Sequence, residues 1–149
     1  MKSKYLTLLV YVIVFNISIV VSTVVIHEIG HFSLGAYYGC DDMKIILYDD
    51  DNSAVYTQMT CESKENFSVL ALGGFLLTIP FALSFLLLKN RPERYFSLIA
   101  IGFNLTVSTS DVTVFDTSFL PLLLIVIGGL SIIIGENLLI NKYIETYID

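Results

Sequence analysis

Chemistry in this chain is concentrated in one run, Ile26-His27-Glu28-Ile29-Gly30-His31, which holds both of its two histidines. On a helix, residues four apart share a face about one turn apart, so the His27 and His31 imidazoles can reach a single ion. Glu28, next to the first histidine, can stand beside a metal-bound water and take its proton without ligating the metal. Zinc accepts two histidines and a carboxylate and leaves a fourth position open. It lowers the pKa of a bound water to roughly 7 and polarises a carbonyl. The pattern therefore predicts zinc-assisted hydrolysis, with His27 and His31 as ligands and Glu28 as general base. The plainer reading is a polar contact between helices. Against it, no histidine lies outside the run, and a glutamate among apolar residues at the end of a spanning helix is costly without a function or a partner.

A third protein ligand has two candidates, Asp111 and Asp116. At a rise of about 1.5 Å per residue, residues 5 to 27 climb about 33 Å, residues 95 to 111 about 24 Å and residues 95 to 116 about 31 Å. Asp116 matches the level of His27 if the helix continues that far. Asp111 matches if tilt or an irregular helix end absorbs about one and a half turns. Either aspartate can also be an ordinary helix-end cap.

The elements that must carry these residues are membrane helices. The chain is 55% apolar and 15% charged, with a mean hydropathy of +0.76, against about 45–50% and about 25% in soluble domains. That composition excludes a disordered chain and an ordinary cytosolic enzyme domain, and the net charge of −6 excludes a nucleic-acid binder. A span needs about 20 mostly apolar residues. Residues 5–26 and 67–88 are 22-residue uncharged runs, and 119–140 is a 22-residue run with Glu136 as its one charge. Residues 95–110 reach span length only by continuing past Asp111 to about Phe115. The expected fold is an all-α membrane protein forming one domain over 1–149. Its helices are expected at about 5–38, 67–88, 95–115 and 119–141. The first apolar run is too long for a signal peptide and lacks a small-residue cleavage site, so it is read as a retained anchor.

Six of the eight basic residues, Lys2, Lys4, Lys89, Arg91, Arg94 and Lys142, fall on one side of this topology. The other side carries the acidic loop 39–66. The positive-inside rule then predicts cytoplasmic termini and an outer loop in a multi-pass protein of the cell membrane. Within the loop, residues 43–48 and 54–59 are β-prone runs around a turn-rich Asp49-Asp50-Asp51-Asn52-Ser53, which predicts a β-hairpin. Such a hairpin brings Cys40 and Cys61 opposite each other, either as a disulfide suited to an oxidising side or as two free thiols.

The stretch VIHEIGHFSLGAYYG, residues 25–39, resembles the catalytic helix of the site-2 protease family of intramembrane zinc metalloproteases. The order of a hydrophobic span, HExGH and a hairpin-forming segment is similar as well. Leu72-Gly73-Gly74-Phe75 resembles the small-residue helix that follows in that family, where glycine permits close packing. The family's third ligand is an aspartate in a later span, in an N-x-x-P…D-G context. Here the stretch from Asn104 to Asp111 reads NLTVSTSD, without the proline and with Val112 in place of glycine. It is closer to the Asn…Ser…Asp version of the related zincin-type membrane peptidases. The resemblance implies Asp111 as the third zinc ligand, Asn104 as a residue orienting substrate or nearby backbone, and a loop strand that pairs with extended substrate. In the family the site lies toward the cytoplasm, whereas the charge count here places it outside.

Taken together, these readings predict a zinc metalloendopeptidase, a hydrolase cutting a transmembrane or membrane-associated protein in or near the lipid bilayer. The alternatives are a catalytically silent metal-binding subunit, in which Glu28 has no chemical task, and a purely structural helical protein that binds no metal.

Overall fold

The structure is a computed structural model and describes residues 2–47, 55–62, 67–89, 91–115 and 119–148. It is mostly helical. Helix α1 (Lys2–Tyr37) runs 36 residues without interruption. Residues 2–29 of it contain neither proline nor glycine, so nothing in them breaks the backbone ladder. It stops where Gly39 turns left-handed at φ +71°. There Cys40 N–H bonds Gly35 O at 2.9 Å and Gly39 N–H bonds Ala36 O at 3.2 Å, the paired bonds of a Schellman C-cap, which glycine favours because it lacks a Cβ.

The chain then forms the expected hairpin, β1 (Asp41–Ile46) antiparallel to β2 (Tyr56–Thr60), pairing Lys44 with Gln58, Ile45 with Thr57 and Ile46 with Tyr56. Strand β1 begins two residues earlier than the β-prone run suggested, directly after the cap. The turn at 49–53 lies outside the described residues. Cys40 and Cys61 are disulfide-bonded, with Cα atoms 4.3 Å apart, so of the two readings of this pair the structure takes the disulfide.

The second apolar run, 67–88, is a short helix α2 (Phe67–Ala71), a break at Leu72, helix α3 (Gly73–Ser84) and a 3-10 turn Phe85–Leu87. After a second 3-10 turn, Pro92–Tyr95, comes α4 (Phe96–Val107), and the long α5 (Phe119–Tyr143) closes the bundle. Phe96, Ile99 and Ala100 of α4 form the buried core with Ile19, Ala82 and Leu139. Helices α4 and α5 approach to backbone contact, since a Cβ on Gly102 would meet Gly128 O at 2.6 Å.

One expected helix is shorter than predicted. Residues 95–115 are not continuous: α4 ends at Val107, residues 108–110 turn, and a 3-10 turn Asp111–Phe115 follows. The cause is the polar run Ser108-Thr109-Ser110-Asp111. Thr109 Oγ1 donates to Thr106 O at 2.8 Å and Thr113 Oγ1 to Ser110 O at 2.6 Å. Such side-chain bonds compete with the helical ladder. Among the described residues, three helical stretches are long and apolar enough to cross a membrane: Lys4–Tyr37, Ser68–Leu87 and Phe119–Tyr147. The first and last of them expose Leu6, Leu9, Ile13, Ile17, Leu122, Leu130 and Ile133.

Candidate metal centre

The C-terminal third of α1 brings His27, Glu28 and His31 against α2, α3 and the turn after α4. His27 is 1% exposed and Glu28 5% exposed. Asp111, at the start of the 3-10 turn, reaches both histidines: its Oδ2 lies 2.9 Å from His27 Nε2 and 3.3 Å from His31 Nε2. The two Nε2 atoms are 3.1 Å apart. The expected level mismatch between Asp111 and His27 is thus absorbed by the irregular helix end at residues 108–110. Asp116 lies outside the described residues.

The other nitrogen of each ring fixes what these atoms can be. His31 Nδ1 bonds Leu70 O at 2.8 Å, and a carbonyl only accepts. His27 Nδ1 is 3.3 Å from Asn104 Oδ1. The Asn104 amide is oriented by its own Nδ2–H donating to Phe75 O at 3.4 Å. Both Nδ1 atoms therefore carry protons, and in the neutral rings both Nε2 lone pairs point at the Asp111 carboxylate and at each other. Three acceptors converging within 3.3 Å repel unless a proton or a cation lies among them. Zinc–nitrogen bonds of about 2.0–2.1 Å at tetrahedral angles place donor atoms roughly 3.3 Å apart, which these spacings approach. A ring N–H held by a carbonyl is also the usual outer support of a metal-bound histidine. The donor set fits zinc, and His27, His31 and Asp111 are the residues that could hold it.

Close helix packing makes this arrangement possible. A Cβ on Gly30 would collide with the Gly73 backbone, and one on Gly74 would overlap the His27 ring. The Gly73-Gly74 pair thus lets α3 lie directly against the His27–His31 face of α1.

A cleft of about 480 Å³ opens beside the cluster. Its walls include Glu28, Tyr56 to Met59 of β2, Leu70, Val107 and Ser110. Glu28 faces this cleft and accepts a hydrogen bond from Thr57 Oγ1 at 2.8 Å on Oε2. Asn104 is 2% exposed and lies behind His27, with both ends of its amide engaged by protein atoms. Three partners at the site were not foreseen from sequence: Thr57 and the carbonyls of Leu70 and Phe75. The carbonyls belong to backbone that any residue type supplies, and Thr57 reads only as one β-former within a strand.

Comparison of the chain with protein-family models, with curated proteins and with solved structures finds no match.

Proposed function

We propose that the chain is a membrane-embedded zinc endopeptidase, similar in plan to the site-2 protease family, that hydrolyses a peptide bond of a membrane protein in or near the bilayer. The observation that carries this reading is the convergence of His27 Nε2, His31 Nε2 and Asp111 Oδ2 within 3.3 Å of one another beside an open cleft. Zinc held there supplies a nucleophile at neutral pH and polarises the scissile carbonyl. Glu28, on the cleft wall, takes up a proton during attack and delivers it to the leaving amine. A helical substrate hides its carbonyls in hydrogen bonds, so it must unwind before cleavage. Strand β2 pairs with β1 and lines the cleft; among the described residues the sheet has two strands, and the side of β2 away from β1 suits an unwound segment joining as a third.

In this reading α1, α2–α3 and α5 lie across the membrane of the cell, α4 crosses only together with its flanking 3-10 turns at residues 92–115, and the hairpin and the cleft are on the outer face. Two independent features support that orientation. The basic residues at 2–4, 89–94 and 142 belong to the end of the bundle where Tyr11 packs on Tyr143 at 5.0 Å and Arg91 bonds Tyr147 at 3.1 Å. The Cys40–Cys61 disulfide beside the cleft belongs in an oxidising compartment.

The test uses transmembrane peptides carrying a helix-breaking Gly-Pro pair, incubated with detergent-solubilised protein and read by mass spectrometry. New termini are expected with the wild type and are lost with Glu28→Gln, a drop of at least about 100-fold. Equal cleavage by the two proteins removes Glu28 from its role.

A further inference from the structure

We infer that Thr57 is a positioning residue for Glu28, and that the Cys40–Cys61 disulfide keeps it there. The inference rests on the endopeptidase reading for the task it gives Glu28. The contact itself stands on geometry alone.

Glu28 is nearly buried on α1; of the residues within one turn of it, Val24, Val25, Ile26, Ile29, Gly30 and Phe32 carry no side-chain donor, and the His27 and His31 rings are engaged at Nδ1 by Asn104 and by Leu70 O. Among the described residues, the donor that reaches the carboxylate is Thr57 Oγ1, 2.8 Å from Oε2. The same hydroxyl stands 3.0 Å from the Glu28 carbonyl oxygen, so Thr57 is held against both ends of one residue. A hydroxyl has one proton to give. Bound at Oε2 it holds the carboxylate in one rotamer and leaves Oε1 to exchange protons.

The hairpin delivers this hydroxyl by register. Alternate residues of a strand share a face, so Thr57 and Met59 point the same way. A Cβ on Gly35 would meet Met59 Sδ at 2.9 Å and Met43 Sδ at 3.0 Å. Gly35 lies seven residues, two turns, beyond Glu28 on the same side of α1. One strand face is therefore laid along one helix face, with Met59 at the far point and Thr57 at the base. Cys61 follows β2 directly, and Cys40 follows the cap of α1 directly. The disulfide thus closes a ring through the end of α1, the end of β2 and the Thr57–Glu28 bond. The β1–β2 ladder pairs Lys44–Gln58, Ile45–Thr57 and Ile46–Tyr56 and shifts register before Asp41–Thr60, and the disulfide closes the hairpin beyond that irregularity.

The experiment compares wild type, Thr57→Val, Thr57→Ser and the double variant Cys40→Ser/Cys61→Ser, purified in detergent. Thr57→Val keeps the shape and the β-branch and removes only the hydroxyl. Three readouts are taken: zinc content; the infrared carboxylate stretch of Glu28, isolated as the difference from a Glu28→Gln spectrum; and cleavage of the Gly-Pro transmembrane peptides. Zinc content is expected to stay at the wild-type level in all four. The Glu28 band is expected to shift in Thr57→Val and in the disulfide variant and to return in Thr57→Ser. Cleavage by Thr57→Val is expected to fall on the order of 10- to 100-fold in kcat with KM unchanged, again restored by serine. A Glu28 band and a kcat in Thr57→Val equal to wild type overturn the inference. Should Thr57→Val not fold, Thr57→Ala against Thr57→Ser asks the same question. If no peptide is cut by the wild type, the infrared comparison still decides the Thr57–Glu28 contact. That failure then belongs to the endopeptidase reading alone.

Discussion

Gly74 stands so close to the His27 imidazole that a single methyl group there would overlap the ring. Adding that methyl should raise helix propensity by about 1 kcal/mol. Overpacking against an imidazole tied down at Nδ1 by Asn104 costs about 1–3 kcal/mol, so the clash prevails. Gly74→Ala is expected to weaken zinc binding and to lower the melting temperature in detergent. Gly129 has nothing within 4 Å of an added Cβ, and Gly129→Ala should leave both unchanged. Equal behaviour of the two variants would show that α3 is free to draw back from α1.

Asn104 separates two roles that the same residue could play. Its Oδ1 accepts from His27 and its Nδ2–H donates to Phe75 O. Removing it should act on the metal site through His27. Asn104→Ala is expected to weaken zinc binding about 10- to 100-fold, as loss of a histidine's outer partner does elsewhere. Asn104→Asp keeps the acceptor and should retain most of the affinity. Competition titration with a chromophoric chelator reads both. Unchanged affinity in Asn104→Ala, with a raised KM for the test peptides, would return Asn104 to the substrate-orienting role implied by the family resemblance.

How much of this was legible in the sequence follows from the range of each signal. Helix α1 and the His27–His31 pair are local: an apolar run with a four-residue spacing fixes both. The hairpin was legible from its β-prone runs and turn cluster, and the disulfide only as one of two options, because spacing does not bring two sulfurs together. The irregular end of α4 was missed as a boundary, although Ser108-Thr109-Ser110 carried the signal. Asp111 was named ahead of Asp116 only through resemblance, since straight-helix arithmetic favours Asp116. Thr57, Leu70 O and Phe75 O were illegible because they arrive from other elements, and two of them are backbone atoms with no residue-type signature.

The disulfide makes a prediction of its own. Cys40 and Cys61 are 21 residues apart, and closing a loop of that length stabilises the chain by about 3 kcal/mol in the chain-entropy model. In intact cells, a membrane-impermeant maleimide should fail to label either cysteine until a membrane-impermeant reductant is added from outside. Labelling only after the membrane is permeabilised would place the hairpin, and the cleft with it, on the cytoplasmic side.

The central claim is that His27, His31 and Asp111 hold one zinc ion, and it is tested most directly by metal analysis of the detergent-purified protein. Close to one equivalent is expected in the wild type and in Glu28→Gln, with loss in His31→Ala and in Asp111→Ala. Zinc retained by Asp111→Ala would remove Asp111 from the ligand set. No zinc in the wild type after reconstitution with excess metal would contradict the account and leave the three side chains as a packed polar contact between helices.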